Sequence, residues 1–133
     1  YPLYGHELSE DINPIEASLK WAVKLSKDFI GKKQLLDIFN AGTSKKRVGF
    51  VMEERAVPRQ GYAVYAEGRQ VGRVSSGTYS PNIDKFIGMA FVENTYAEMN
   101  TTLDIKVRDK LYKADVTPWP FVKLGVKKQK AVF

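Results

Sequence analysis

The sequence contains no cysteine and a single histidine, His6. Without cysteine the chain can form neither disulfide bonds nor thiolate metal sites, and one imidazole cannot build a typical transition-metal site. Apolar runs extend over only a few residues, far short of the roughly 20 that a membrane-spanning helix needs. The sequence therefore predicts no metal site and no membrane span, and His6 is expected to have a surface or packing role.

Two common catalytic patterns are also missing. The serines at positions 75, 76 and 80 have no assignable histidine partner, so acyl transfer through an activated serine is not expected. Gly68, Gly72 and Gly77 have the wrong spacing for a dinucleotide-binding loop and are better explained as turn and bulge positions. Neither of these two patterns therefore predicts a catalytic site in this chain.

The composition is that of a globular protein with an excess of basic residues. Of 133 residues, 44% are hydrophobic and 27% are charged, and a chain of this length can bury a core. The formal net charge is +6, which favours acidic partners. The excess is concentrated in a cluster at residues 45–47 and in residues 123–133, which are predicted to form a basic tail.

Residues 1–42 are predicted to form an arm of helices and irregular structure. Asn13 can cap a helix that has Pro14 as its first residue, and Glu16 can complete a capping box. An apolar stripe with helical spacing follows, although the stretch from Trp21 to Leu25 could equally end this helix early.

A second helix in the arm is predicted from Lys32 to Phe39. Leu35, Leu36 and Phe39 give it an apolar face. The glycine at position 42 follows as a stop signal, because glycine readily adopts the left-handed conformation that ends helices.

Residues 45–122 are predicted to fold as a separate β domain, because six short segments have alternating apolar positions or apolar runs. These segments lie near residues 48–52, 62–65, 70–74, 86–92, 103–107 and 111–116. Tight turns at 67–68 and 108–109 join two hairpins. Since closure would hide the sheet edges, the predicted fold is mainly β with an N-terminal α arm, its β part being a small six-stranded antiparallel, Greek-key-like barrel.

Three segments of the β domain carry more specific predictions. Pro58 and Gly61 fix a loop that presents Arg59, which suits a carboxylate or phosphate but is equally compatible with a plain surface role. Residues 75–81 are predicted to be a polar loop, either lining a ligand site or only connecting strands. The apolar run at 86–92 predicts a strand covered on both faces.

Seven segments, in order along the chain, resemble the C-terminal part of the glycine cleavage T-protein family. They are residues 1–8 (YPLYGHEL), 13–21 (NPIEASLKW), 27–32 (KDFIGK), 47–50 (RVGF), 57–62 (VPRQGY), 71–81 (VGRVSSGTYSP) and 87–92 (IGMAFV). The first resembles the segment that follows the family's RLEAG motif. Any one of these matches would be weak, whereas seven in the right order make the resemblance specific.

The resemblance implies an aminomethyltransferase, which passes an aminomethyl one-carbon unit from lipoylated H-protein to tetrahydrofolate and releases ammonia. It implies that the catalytic aspartate and the pterin-binding glutamate lie upstream of the residues present here. It also implies that Lys27, Arg59 and Trp21 contact folate or substrate. Tetrahydrofolate and H-protein are thus the expected one-carbon acceptor and partner, with residues 1–42 belonging to the preceding folate-binding region.

The sequence leaves two alternatives to this reading. One is the C-terminal segment of a related folate-dependent demethylating dehydrogenase, and the other is a small basic barrel that binds nucleic acid. We favour the hypothesis of a transferase and do not expect nucleic acid as a partner. The chain alone is expected to fold at least over residues 45–122 but not to turn over. The family would place it in the bacterial cytoplasm, or in the mitochondrial matrix of a eukaryote.

Overall fold

A computed structural model of the chain describes residues 1–122, so the predicted basic tail at 123–133 lies outside the described residues. One α-helix and six strands form its regular structure. They are α1 (Lys32–Ala41), β1 (Lys45–Met52), β2 (Ala63–Ala66), β3 (Arg69–Ser80), β4 (Lys85–Glu93), β5 (Thr102–Val107) and β6 (Lys110–Thr117). Two short 3-10 helices cover Lys20–Ala22 and Asn94–Tyr96. No helix within residues 1–122 is both long and apolar enough to cross a membrane.

The six strands close into one barrel in the order β1-β4-β3-β2-β5-β6, and every neighbouring pair is antiparallel. Strands β2, β3 and β4 are neighbours joined in sequence. The last of them, β4, also lies beside β1, which completes a Greek-key arrangement. The predicted fold class, a mainly β chain with a six-stranded antiparallel barrel and an N-terminal α arm, is confirmed.

Alternating side chains of all six strands fill the barrel interior, because successive residues of a strand point to opposite faces. The core includes Val48, Phe50, Met52, Val64, Val74, Val92, Leu103, Ile105 and Val116, each no more than 4% exposed. Strand β4 alternates between buried and half-buried positions, so the prediction that both of its faces are covered is wrong. Its apolar outward residues are only partly covered.

Residues 75–80 belong to β3, and all of them except Ser75, which lies at a register shift, pair with β4, so the prediction of a polar loop there is wrong. Small side chains are needed at this point because the loop before β2 passes close by. An added Cβ at Gly77 would lie 2.4 Å from the carbonyl oxygen of Pro58. The glycine at this position of β3 is explained by close packing between the loop and the strand. The residue pattern of one strand cannot predict such packing.

The predicted cap at Asn13 forms, but the α-helix predicted to follow it does not. The side-chain oxygen of Asn13 accepts hydrogen bonds from the backbone N–H groups of Ile15 and Glu16, at 3.0 and 2.9 Å. Only turns follow, and Ser18 then adopts a left-handed backbone with φ of 57°. Because a residue in the left-handed conformation ends a helix, the helical backbone that Asn13 caps continues for only about one turn.

The second predicted helix is confirmed as α1. Its N-terminal neighbour Gly31 and its C-terminal neighbour Gly42 have φ of 85° and 80°. Among the described residues of α1, Leu35 is the buried one. The arm is therefore mostly irregular structure held against the barrel, with one helix near its end.

Candidate functional site

The three residues predicted to contact folate or substrate lie on exposed surfaces of two different parts of the chain. Trp21 is 81% exposed in the first 3-10 helix, and Lys27 is exposed in the turn that precedes α1. Arg59 is exposed in the loop between β1 and β2. Among the hydrogen bonds and ion pairs of residues 1–122, none joins any two of the three. The structure thus leaves each side chain open to an external contact.

Arg59 borders a depression of about 590 Å³ between its loop and the turn joining β5 to β6. Four basic side chains and one acidic side chain line this depression, together with Tyr62 and Tyr112. The charged residues are Arg55, Arg59, Arg108, Lys110 and Asp109. A concave surface with this balance attracts anions, because like charges that face the same space reinforce one another.

A second group of polar residues is buried where the arm meets the barrel. The carboxylate of Glu7, 1% exposed, accepts hydrogen bonds from the hydroxyl of Ser75 at 2.6 Å and from the backbone N–H of Leu3 at 2.9 Å. His6 adds a contact of 3.0 Å between its Nδ1 and the carbonyl oxygen of Ser75. The sequence predicted a surface or packing role for His6, and the residue is half-buried at this junction.

Arg47 of β1 is the other buried ion in this region, with 3% of its surface exposed. The arm holds its backbone on both sides: its N–H donates to the carbonyl oxygen of Glu16 at 3.0 Å, and its carbonyl oxygen accepts from the hydroxyl of Ser18 at 3.2 Å. The guanidinium carbon lies 4.6 Å from the ring centroid of Trp119, a cation–π distance.

Burial and opposite charge act against each other on the pKa values of this pair. Burial raises the pKa of Glu7, but hydrogen bonds from Ser75, Leu3 and Ser76, with the charge of Arg47, outweigh it and leave that pKa below its ordinary value. Burial lowers the pKa of Arg47, and the charge of Glu7 only partly offsets this. Both groups are ionised at neutral pH, since an arginine stays charged even after a substantial shift.

A cavity of about 330 Å³ lies beside Glu7 and Arg47, and most of its wall is apolar. It is lined by Tyr1, Pro2, Glu7, Arg47, Ile87, Met89, Trp119, Pro120, Phe121 and Val122. Gly49 leaves room for the segment that covers it, because an added Cβ there would lie 2.9 Å from Cδ1 of Trp119. Within residues 1–122, no three His, Cys, Asp or Glu side chains come together as a set of metal ligands.

Sequence reasoning assigned no site role to Glu7 or to Arg47, and it counted Arg47 in the basic cluster at residues 45–47. The one local signal was the position of Arg47, which shares the outward face of β1 with Gly49. A charged residue next to a glycine on an outward face indicates that something covers that face. The pattern could not identify the covering residues, which are Tyr1, Pro2 and residues 119–122.

Comparison with known proteins places the chain in a family. The glycine cleavage T-protein C-terminal barrel domain matches residues 45–123. The aminomethyltransferase of Desulforamulus reducens is 46% identical over 125 residues, which cover 93% of this chain and 34% of that protein. That of Bacillus subtilis is 44% identical over 124 residues, covering 92% of this chain and 34% of the other.

A solved structure gives the same result. The glycine cleavage system aminomethyltransferase T from Bartonella henselae superposes with a TM-score of 0.86 at 30% identity, over 92% of this chain and 35% of that one. The chain therefore spans about a third of the length of these relatives. By its barrel and by the family match over residues 45–123, the chain belongs to the glycine cleavage T-protein family and carries its C-terminal barrel domain.

Proposed function

We propose that the chain is the C-terminal part of an aminomethyltransferase that moves an aminomethyl one-carbon unit from lipoylated H-protein to tetrahydrofolate and releases ammonia. The observation that carries this proposal is similarity over 93% of the chain to a protein named aminomethyltransferase. Because the chain spans only about a third of such a protein, it is inactive by itself. The activity belongs in the bacterial cytoplasm, or in the mitochondrial matrix of a eukaryote.

Trp21 and Lys27 are proposed to contact tetrahydrofolate from the arm. Trp21 is 81% exposed, an unusual position for so large an apolar side chain unless it contacts something else. Lys27 is exposed in the same part of the arm and can pair with the glutamate carboxylates of the folate tail. These contacts would make the arm a wall of the folate site.

Arg59 and its basic depression are proposed to receive an acidic partner, either H-protein or the folate tail. The depression carries four basic side chains against one acidic side chain, a charge balance complementary to an acidic protein surface. Such complementarity mainly accelerates encounter, so its contribution weakens as salt screens the charges.

A chimera tests the proposed function directly. The C-terminal third of the Bacillus subtilis aminomethyltransferase is replaced by this chain, to which it is 44% identical over 124 residues. The chimera is expected to form methylene-tetrahydrofolate from aminomethylated H-protein, whereas the same enzyme truncated before the graft, and the 133-residue chain alone, are not. A well-folded chimera no more active than the truncated enzyme contradicts the proposal.

The chimera also separates the proposed contacts. Lys27→Ala and Trp21→Ala are expected to raise the KM for tetrahydrofolate, while Lys24→Ala, an exposed lysine nearby in the arm, is the matched control. Arg59→Ala is expected to raise the KM for H-protein at low salt, with the exposed Lys46→Ala as its control. Equal effects of a variant and its control would remove that residue from the proposed site.

A further inference from the structure

The basic depression between the β1–β2 loop and the β5–β6 turn has charges that the chain itself does not neutralise. Within residues 1–122, the ion pairs lie elsewhere on the barrel, at Arg69–Glu93 and Lys113–Asp104. No charged residue that lines the depression takes part in an ion pair within that range. Since four of these residues are basic and one is acidic, an excess of three positive charges is left for an external partner.

The loop that carries Arg59 has a fixed backbone. Pro58 is fully buried beside it. The N–H of Gly61 donates to the carbonyl oxygen of Val74 in β3 at 2.9 Å, which ties the loop to the sheet. The N–H of Tyr62 donates to the carbonyl oxygen of Arg59 itself at 3.2 Å. Because this backbone is already ordered, less conformational entropy is lost when a partner binds its side chains.

Arg108 borders the depression from the opposite side, in the two-residue turn between β5 and β6. It has a left-handed backbone with φ of 56°, and its flanking residues Val107 and Lys110 pair with each other across the turn. Glycine and asparagine adopt this conformation at lower cost than arginine does. An arginine at a position that disfavours it indicates a role for its side chain.

The exposure of the basic side chains favours a protein partner over a small ligand. All four are exposed. Small-ligand sites enclose most of the ligand and hold it with a few fixed polar groups, whereas an exposed ion pair contributes little to the binding of one carboxylate. Exposed charges of one sign act instead over a range of about 10 Å at 0.1 M salt, and they accelerate the approach of an oppositely charged surface.

We propose that the basic depression is the docking surface for an acidic segment of H-protein, and that Arg108 is a specificity-determining residue beside Arg59. This inference rests on the proposed function, from which H-protein is taken as the partner, and it assigns the depression to H-protein and not to the folate tail. The loop and the turn attract the segment from two sides, while the carboxylate of Asp109 opposes it. Loss of Arg108 and loss of Asp109 therefore have opposite effects on docking.

The test introduces Arg108→Asn into the chimera with the Bacillus subtilis enzyme. At low salt, kcat/KM for H-protein is expected to fall about two- to fivefold with kcat unchanged, as for the loss of one exposed ion pair. The 133-residue chain with Arg108→Asn is expected to unfold at a higher urea concentration, because asparagine adopts the left-handed conformation more easily. Arg108→Lys keeps the charge and should keep most of kcat/KM. Lys24→Asn, which removes an exposed lysine of the arm, is the control.

Asp109→Asn gives a result of opposite sign. It removes the one acidic side chain that lines the depression, so kcat/KM for H-protein is expected to rise about two- to fivefold at low salt. Both effects should disappear near 1 M salt, where the screening length is only about 3 Å. Equal values for wild type, Arg108→Asn and Asp109→Asn at low salt, or an equal loss in Lys24→Asn, overturn the proposal.

Two further outcomes separate this inference from the proposed function. If Arg108→Asn raises the KM for tetrahydrofolate and leaves H-protein unaffected, the occupant is the folate tail and the docking proposal is wrong. If the folded chimera is inactive, the proposed function is contradicted, and surface plasmon resonance with lipoylated H-protein then tests docking without turnover. In that measurement, association slowed by Arg108→Asn and accelerated by Asp109→Asn supports the docking surface, and unchanged association rates overturn it.

Discussion

The hydroxyl of Ser75 lies 2.6 Å from Oε1 of Glu7, a residue 68 positions earlier in the chain. This hydrogen bond joins the arm to the middle of β3 inside the protein, where neither group can exchange its partner for bulk water. The arm is therefore attached to the barrel by a specific polar contact as well as by apolar packing.

Ser75→Ala is expected to destabilise the chain by about 1–3 kcal/mol, because the buried carboxylate of Glu7 loses a donor and no water replaces it. Urea unfolding monitored by far-ultraviolet circular dichroism measures the change. Ser26→Ala, at an exposed serine of the arm, is the matched control and should be nearly neutral. Equal midpoints for the two variants would mean that the contact contributes nothing.

Stability is also expected to depend on pH through Glu7. The folded-state pKa of this carboxyl lies below its ordinary value of 4.5, so the folded protein holds the proton less tightly than the unfolded chain. Its contribution is fully present above pH 4.5 and is lost as the pH falls through the folded-state pKa. The difference in unfolding free energy between wild type and Glu7→Gln should therefore shrink on acidification. A difference that stays constant from neutral pH to strongly acidic pH would contradict this linkage.

Gly77→Ala is expected to cost about 2–3 kcal/mol, because the new Cβ would lie 2.4 Å from a backbone oxygen of Pro58 and the loop must move. Thr78→Ala, at the exposed neighbouring position of β3, is the control. The displaced loop carries Arg59. The chimera that carries Gly77→Ala should therefore also show a higher KM for H-protein. If the two variants unfold at the same urea concentration, the close approach is absent in solution.

Gly49→Ala is expected to have a smaller effect on stability, about 1 kcal/mol, although its Cβ would also be crowded. The nearest atoms, at 2.9 Å and 3.0 Å, belong to the side chains of Trp119 and Phe121, which can swing away where a backbone cannot. In a Trp21→Phe background, which leaves Trp119 as the single tryptophan, the emission maximum should shift as the ring leaves the guanidinium. A larger stability loss than that of Gly77→Ala would contradict this ranking.

The barrel could be predicted from the sequence because each of its strands has a recognisable pattern within a few consecutive residues. Apolar alternation along each strand, as at Val48, Phe50 and Met52, gives both the strand and its inward face. The prediction of a helix after Asn13 was wrong because a cap indicates where a helix begins and not how far it continues. Here the left-handed Ser18 directs the chain toward β1, where its hydroxyl bonds to Arg47.

The buried pair of Glu7 and Arg47 could not be predicted in the same way. Both residues look like surface charges in their own segments, and only the folded arrangement brings them to one cavity. The strand at 75–80 was missed for a related reason, since small polar residues favour a loop unless a neighbouring backbone requires them. Local patterns specify elements, whereas the candidate site depends on which elements meet.

Closure of the barrel has a further consequence for how this domain can be joined to other parts of a protein. Because β1 pairs with both β4 and β6, the barrel formed by residues 45–117 has no free strand edge for extending its sheet into a neighbour. Any neighbour must be engaged through side chains and loops. An exchange of the domain between relatives then requires matching surfaces but no continuation of hydrogen-bonded strands, which makes it a natural unit for building hybrid enzymes.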